Sequence, residues 1–356
     1  MMTTSALDTD AIELPADAAA HAGLRHTSLD RPGFTRERSG SGWAYRDREG
    51  KIIHDERVLE RIRAIVIPPA WTDIWICPDP RGHIQAVGFD LRGRRQYRYH
   101  PKWRAYRDET KFDRLAMFGE LLPELRERVE SDLLRSGLPR QKVLAIIVKL
   151  LDTALIRIGN RAYERTNGSF GLTTLRNRHV QVSGATIRFT FRGKSGTLHD
   201  LELQDRRLAN AIKRMRDIPG YHVFQYLDSD GQRHEISSDD VNGYLRELTG
   251  SSFTAKDFRT WAGTVRFVEA IDQEPDSTQS PERQVVATVK KVAAALGNTP
   301  AVCRASYIHP AVIEAFLDGS SLSDARRRVH RRGRAGDSRR TESELIVLDL
   351  LKHPAS

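Results

Sequence analysis

The pattern of apolar residues changes once along this chain, and that change constrains the fold more than any other feature. Over residues 41–106, short aromatic or β-branched runs are separated by Gly, Pro and Asp, which is typical of a small antiparallel sheet. From about residue 110, apolar residues recur at spacings of three and four, which indicates helices. Strands followed by helices predict an α+β protein, with a small antiparallel β-sheet domain ahead of a mainly α-helical domain.

The helical part has one interruption, which we interpret as a β-hairpin. Apolar residues alternate over residues 186–191, which indicates the first strand. Residues 192–196 form the turn, and residues 198–203 form the second strand. Before the hairpin, the apolar spacing of residues 143–158 predicts a long buried helix that ends near Gly159. After the hairpin, helices are expected at about residues 205–216, 238–248, 254–271 and 281–296.

The two ends of the chain are expected to be tails. Residues 1–38 contain few bulky apolar residues, which predicts a flexible N-terminal tail. Residues 326–356 contain a dense run of Arg, which predicts a basic C-terminal tail that adds nonspecific affinity for DNA, although a merely solvated tail has the same composition. The expected folded domains are therefore residues 39–110, rich in β-strands, and residues 111–325, mainly α-helical.

The composition bounds the chemistry without deciding it. A formal net charge of +10 and a pI of about 9.7 attract polyanions, and guanidinium groups match phosphate oxygens in pairs. Many soluble proteins are basic, so the charge alone leaves nucleic-acid binding open. The two cysteines, Cys77 and Cys303, form no CxxC pair, so neither a disulfide scaffold nor a zinc site is expected.

Several classes of protein are disfavoured by missing features. No run of eighteen apolar residues is present, so we expect no membrane-spanning helix. The first 22 residues lack Lys and Arg, so we expect no signal peptide and a cytoplasmic protein. A Walker loop, a GxSxG elbow and metal ligands at i, i+4 spacing are also missing. An enzyme that acts on phosphodiesters without metal or nucleotide needs cationic side chains, its own nucleophile and a proton donor.

Two regions of the chain together resemble the poxvirus-like type IB DNA topoisomerases, a family also found in bacteria. Residues 67–77 and 96–103 look like the N-terminal DNA-clamp domain of that family. Further motifs follow in the family's order, at residues 156–159, 171–175, 191–194, 256–260 and 297–307. The resemblance implies a clamp around double-stranded DNA, and a monomeric, nucleoid-associated enzyme that relaxes positive and negative supercoils. It implies no nucleotide, metal or other cofactor.

Carried over position by position, the resemblance assigns the catalytic roles. It implies that Tyr307 attacks the scissile phosphate and forms a 3′-phosphotyrosyl link, that Arg157 and Arg259 contact the non-bridging oxygens, and that Lys194 protonates the leaving 5′ oxygen. Without the resemblance, Tyr307 is a packing residue, Arg157 a cation at a helix C-terminus and Lys194 a solvated turn lysine. Arg259 lies near a predicted helix start, where cations are disfavoured, and a phosphate partner would resolve that misfit.

Asn298 departs from the family's usual pattern. The poxvirus and eukaryotic enzymes carry His at this position, whereas bacterial relatives can carry Asn. An amide still donates a hydrogen bond to a phosphate oxygen but does not titrate, so the resemblance keeps a binding role for Asn298 and gives it no acid–base role. A helix C-cap after Gly297 is the alternative interpretation.

Other positions match DNA contacts of the viral enzymes, namely Gln96, Tyr97, Tyr99 and Tyr163. Tyr97 and Tyr99 are two residues apart and share one face of a strand, although core aromatics of a small sheet would have the same spacing. Asn160 stands where the viral pattern has a lysine that contacts the recognition sequence, which implies an altered sequence preference.

Two other functions stay open at this point. A tyrosine recombinase uses the same covalent chemistry, but its second arginine usually follows a His-x-x-Arg pattern, whereas Lys256 precedes Arg259 here. The motif at residues 67–77 also has no recombinase counterpart. A non-catalytic DNA-binding protein fits the charge, although the presence of the nucleophile and all three cations argues against it. The change of composition near residues 107–115 suggests a hinge between two lobes.

Overall fold

The computed structural model describes residues 16–40, 42–91, 93, 95–109, 112, 114–251, 253–273, 279–332 and 339–353. The chain divides into two compact units, Met1–Asp113 and Arg114–Ser356. Each unit combines helices with small antiparallel sheets, so the predicted α+β class is confirmed. Among the described helices, none has both the length and the apolar character that a membrane span requires.

The first unit contains a three-stranded antiparallel sheet and a separate hairpin. The sheet has the order β3-β4-β5, and β1 pairs with β2. Ile62 of α2 packs against Ile74 and Ile76 of β3 to form the core of this unit. The sequence pattern did not predict α2. The described elements are α1 (Ala16–His21), β1 (Thr35–Ser39), β2 (Gly42–Arg46), α2 (Glu56–Ala64), β3 (Thr72–Ile76), β4 (Ile84–Phe89), β5 (Arg95–Tyr99) and α3 (Pro101–Glu109).

The flexible tail predicted for residues 1–38 is wrong for residues 16–38. Ala19 and Leu24 are buried together with Trp103 of α3, and the backbone N–H of Phe34 donates to the carbonyl of Ile76 over 2.8 Å. A few apolar side chains are sufficient to order this segment because they pack against the rest of the first unit. Composition alone does not reveal such packing. Residues 1–15 lie outside the described residues.

The second unit surrounds one buried helix, α5, most of whose side chains are shielded from solvent. The described elements are α4 (Leu115–Leu133), α5 (Arg140–Thr153), α6 (Arg161–Asn167), β6 (Val180–Ser183), β7 (Thr186–Arg192), β8 (Leu198–Gln204), α7 (Arg206–Arg216), β9 (Gln225–Leu227), β10 (Arg233–Glu235), α8 (Ser238–Thr249), α9 (Ala255–Gln273), α10 (Pro281–Leu296), α11 (Pro300–Tyr307), α12 (Pro310–Leu317), α13 (Ser320–Arg332) and α14 (Glu342–Lys352).

The predicted hairpin is confirmed as β7 and β8, and β6 extends it to a three-stranded sheet with β7 in the centre. The four helices expected after the hairpin are confirmed as α7 to α10. Gly297 ends α10 in the left-handed conformation, with a φ of 59°, and Thr299 caps the start of α11. The end of α5 was predicted too late, because the helix stops at Thr153.

The basic tail predicted for residues 326–356 is also wrong in the described part of that range. Helix α14 is folded into the second unit, with Ile346, Val347 and Leu350 at most 1% exposed. The buried carboxylate of Glu344 accepts from Arg126 over 2.8 Å and from the indole of Trp261 over 3.3 Å. The run of Arg obscured this short apolar helix, which is buried on several sides by α13, α9, α4 and α12.

Deleting residues 341–356 is therefore expected to unfold the second unit. The apolar side chains of α14 contribute on the order of 5 to 10 kcal/mol, which is comparable to the whole stability of a domain. Urea denaturation followed by Trp fluorescence measures the loss, and a free energy of unfolding equal to that of the full chain would show that α14 is dispensable. Lys352→Ala is the control, since its exposed ion pair with Glu120 contributes less than about 1 kcal/mol.

Candidate active site

A strained turn after α5 sets the position of Arg157. Leu155 is buried and has a φ of 54°, a left-handed conformation that is unfavourable for a residue with a side chain. The chain then leaves the helix, and the carbonyl of Arg157 accepts a hydrogen bond from the backbone N–H of Leu172 over 2.9 Å. Arg157 is thus not a helix C-terminal cation, because α5 ends at Thr153.

Two glycines allow this turn to lie against the segment that follows α6. A Cβ atom placed on Gly171 would lie 2.5 Å from the carbonyl oxygen of Arg157 and from the backbone nitrogen of Gly159. Gly159 itself has a φ of 94°, which favours glycine. The motifs at residues 156–159 and 171–175 are therefore one paired backbone structure, which fixes the base of the Arg157 side chain.

Arg259 of α9 is buried, with 3% of its surface exposed. Its guanidinium donates to the carbonyl of Leu155 and, over 2.6 Å, to the carbonyl of Leu296 at the end of α10. The carbonyl of Leu296 is one that the end of α10 leaves without a partner inside the helix. Burial, followed by the neighbouring charge of Arg157, lowers the pKa of Arg259 to about 10, so the group is still cationic at neutral pH.

Tyr307 is the last residue of α11, and its ring centroid lies 5.1 Å from the guanidinium carbon of Arg259. Burial alone would raise the pKa of Tyr307. The charges of Arg259 and Arg157, with a hydrogen bond from Arg259, outweigh burial, and the pKa lies below its ordinary value of 10. The simple packing interpretation does not explain this electrostatic environment, which favours the phenolate that a nucleophile needs.

Asn298 lies beside Arg157 in the turn between α10 and α11. The Arg157 Nη2 donates to the Asn298 Oδ1, and over 3.4 Å to the carbonyl of Gly297. The three side chains around Tyr307 each have one buried N–H donor without a hydrogen-bond partner among the described residues. These donors are Arg157 Nη1, Arg259 Nε and Asn298 Nδ2. Buried donors without partners are costly, and a cluster of them beside a tyrosine fits an anionic ligand.

Lys194 lies at the exposed tip of the β7–β8 hairpin. The turn is ordered by its own backbone, because the N–H of Gly193 donates to the carbonyl of Thr197 over 2.8 Å. The sequence interpretation missed His199, which follows this turn on β8. His199 lies on the same inward face of β8 as Leu201 and Leu203, and a polar residue on that apolar face was the available signal.

Tyr163 lies on α6 and is 41% exposed. The Oδ1 of Asn160 accepts from the backbone N–H of Tyr163 over 3.3 Å, so Asn160 caps this short helix. Helix α6 is further fixed by the buried Glu164, which accepts hydrogen bonds from Arg176 over 2.7 Å. Asn160 therefore has a structural role in holding Tyr163 at the surface.

Gln96, Tyr97 and Tyr99 all lie on β5 of the first unit and are half-buried. The rings of Tyr97 and Tyr99 stack on one face of the strand with centroids 5.9 Å apart, as their spacing predicted. The side-chain amide of Gln96 donates to Asp90 over 3.0 Å. Both rings are partly exposed, and Tyr99 also packs against the buried cluster around Trp103, so it contributes to the core of the first unit as well.

Comparison with known proteins gives matches over most of the chain. The profile of the eukaryotic DNA topoisomerase I catalytic core matches residues 100–330, and that of the bacterial DNA topoisomerase IB N-terminal domain matches residues 42–90. The DNA topoisomerase 1B of Acanthamoeba polyphaga mimivirus is 31% identical over 293 residues, which cover 80% of this chain and 87% of the viral protein. The DNA topoisomerase 1B of Vaccinia virus (strain Copenhagen) is 22% identical over 284 residues, 76% of this chain and 86% of its own.

Proposed function

Because this chain belongs to the type IB DNA topoisomerases, we propose that Tyr307, Arg157, Arg259, Lys194 and Asn298 together break and rejoin one DNA strand. The family acts on DNA as an isomerase and relaxes supercoils without ATP or metal. The observation that carries the assignment of these residues is the cluster of buried N–H donors beside Tyr307, which matches the negative charge of a phosphate in transesterification.

The proposed reaction exchanges one phosphodiester for another. The phenol of Tyr307 loses its proton to water, and its oxygen attacks the scissile phosphorus. A bond forms between that oxygen and phosphorus while the bond from phosphorus to the 5′ oxygen breaks. Lys194 donates a proton to the departing 5′ oxygen, since an alkoxide is a poor leaving group. The strand then carries a 3′-phosphotyrosyl link, its free 5′ end rotates, and the reverse reaction reseals it.

Three groups stabilise the charge of the transition state in this mechanism. The unpaired donors of Arg157 and Arg259 bind the non-bridging oxygens, and their guanidinium groups stay charged throughout the reaction. Asn298 adds a neutral N–H donor and holds Arg157 through its carbonyl oxygen. Because both arginines are anchored by backbone or side-chain oxygens before DNA binds, little reorganisation is needed.

Contacts with DNA outside the scissile phosphate are proposed for Gln96, Tyr97, Tyr99 and Tyr163. Two units that enclose a duplex would form a clamp that binds mainly phosphates and so has little sequence preference. The hinge expected near residues 107–115 lies partly outside the described residues. Affinity should then fall steeply as salt is raised. We propose that the protein acts as a monomer, without a nucleotide, on the DNA of the nucleoid.

The function is tested by incubating the wild-type protein with supercoiled plasmid in EDTA without ATP. We expect relaxation of both positive and negative supercoils, and denaturant trapping of protein on the 3′ side of the break. DNA binding without relaxation would contradict catalysis and favour a binding protein. Strand exchange between two duplexes, in place of relaxation, would favour a recombinase.

Gly263→Ala is expected to slow cleavage by about a hundredfold, because misplacement of a reacting group by about 1 Å has that effect. A Cβ atom on Gly263 would lie 2.3 Å from the carbonyl oxygen of Tyr307, so α9 must push the end of α11 away. Gly243→Ala on α8 is the matched control, because no atom of the described residues lies within 4 Å of its Cβ position. The control should gain roughly 1 kcal/mol of stability from helix propensity and keep wild-type cleavage. Equal single-turnover rates for the two variants would contradict the close packing.

A further inference from the structure

A histidine that the proposed mechanism does not use lies between the loops that carry Lys194 and Asn298. His199 of β8 pairs across the sheet with Phe191 of β7. The two rings stack with their centroids 4.9 Å apart and an angle of 14° between their planes. Phe191 is 4% exposed, so the imidazole lies on a fixed support at the end of the hairpin.

Two glycines lie against the edges of this imidazole. A Cβ atom placed on Gly193 would lie 2.6 Å from both Cδ2 and Nε2 of His199, and one placed on Gly297 would lie 2.6 Å from its Cε1. Gly193 directly precedes Lys194, and Gly297 directly precedes Asn298. The ring therefore fills the space between the hairpin tip and the turn that joins α10 to α11.

The surroundings of His199 keep its imidazole uncharged, as a residue that only fills space between the two loops should be. Burial lowers the pKa of His199, and the charges of Arg157 and Arg259 lower it further, so the imidazole is neutral at neutral pH. A neutral ring introduces no repulsion beside two guanidinium groups. A cationic side chain in the same place would compete with them for the phosphate charge.

We propose that His199 is a positioning residue, which seats the loop of Lys194 against the turn of Asn298 and so directs the Lys194 ammonium to the leaving 5′ oxygen. The inference rests on the proposed function. A lysine at an exposed hairpin tip has a long flexible side chain, whereas a general acid must come within hydrogen-bond distance of the oxygen that it protonates. Fixing the backbone on one side of Lys194 reduces the number of unproductive positions.

The test compares two leaving groups at one cleavage site. The site that forms the covalent complex most readily is first mapped with the wild-type protein, and duplexes are then made with oxygen or sulfur at the bridging 5′ position. A thiol has a pKa of about 8.5, so a thiolate leaves without a general acid. We expect His199→Ala to cleave the oxygen duplex roughly 10- to 100-fold more slowly than wild type, and the sulfur duplex within about threefold of wild type. Lys194→Ala should likewise cleave the oxygen duplex slowly and the sulfur duplex at nearly the wild-type rate. Asn298→Ala should cleave both duplexes slowly.

Gly193→Ala probes the same contact from the other side. The backbone at Gly193 has a φ of −92° and a ψ of −160°, which alanine can adopt, so its new methyl group acts on the imidazole. We expect the same slow cleavage of the oxygen duplex. The double variant Gly193→Ala/His199→Ala should be no slower than His199→Ala, because the space of the ring is then free.

The outcomes separate this inference from the proposed function. An equal defect of His199→Ala on both duplexes, or no defect, overturns the positioning role, as do rates of the double variant that multiply the two single effects. A wild-type protein that forms no covalent complex contradicts the proposed function instead. The control is His234→Ala, since His234 stacks on Tyr226 with centroids 5.2 Å apart in the β9–β10 hairpin, and both of its rates should match wild type.

Discussion

Replacing Tyr307 with Phe is expected to abolish DNA cleavage and relaxation, with a loss of at least about 10⁴-fold, because phenylalanine has no oxygen to attack phosphorus. The ring should stay in place. It packs against the guanidinium of Arg259, and the backbone carbonyl of residue 307 accepts from the hydroxyl of Thr264 over 3.4 Å. Plasmid relaxation and denaturant-trapped complexes measure the loss, and equilibrium binding at fixed salt should give wild-type affinity for DNA.

Tyr244→Phe is the matched control for this prediction. The hydroxyl of Tyr244 donates to Asp132 over 2.6 Å, and burial together with that carboxylate raises the pKa of Tyr244 far above its ordinary value. The two tyrosines thus have opposite electrostatic environments. Tyr244→Phe should lose about 1 to 3 kcal/mol of stability and keep wild-type cleavage. Covalent complexes that persisted in Tyr307→Phe would assign the nucleophile to another residue.

Much of the second unit was predictable because its elements carry their own signals. The alternation at residues 186–191 gave the hairpin, and Gly297 gave the end of α10 in its left-handed conformation. Helix α14 was missed because its apolar residues follow a run of Arg, and a short helix is stabilised by the face that it buries rather than by its own propensity. The fold of residues 16–38 in the first unit was missed for a similar reason, because their few apolar side chains are buried by packing against other parts of that unit.

The candidate site was predictable as a set of residues but not as a geometry. The motif containing Arg157 was placed at the end of a helix, yet α5 stops at Thr153, since the strained Leu155 turns the chain towards Arg259. Such strain depends on long-range contacts, here the carbonyl that Arg259 binds, and no local pattern encodes it. His199 was missed for a similar reason, because its neighbours Gly193 and Gly297 are brought to it by tertiary packing.

Arg259→Lys is expected to slow cleavage by about 10²- to 10³-fold, the cost of removing one oriented donor from a transition state. The planar guanidinium binds the carbonyl of Leu296 over 2.6 Å and that of Leu155 while its Nε is still available for a phosphate oxygen. An ammonium group is a point charge and does not reproduce that fork. Single-turnover cleavage at saturating DNA measures the loss, and a rate within threefold of wild type would show that charge alone is sufficient.

A second substitution, Arg259→Gln, separates charge from geometry through the pH profile. The charge of Arg259 is the largest of the contributions that lower the pKa of Tyr307, because it stabilises the phenolate. Removing that charge raises the pKa of Tyr307, so the pH at which cleavage reaches half its maximum should move upward in Arg259→Gln and much less in Arg259→Lys.

Arg126→Lys is the control, since Arg126 binds the carboxylates of Asp152 and Glu344. It should lower the melting temperature and leave the pH profile unchanged. Profiles that coincide for wild type and Arg259→Gln would mean that Arg259 orients the phosphate without promoting ionisation of Tyr307.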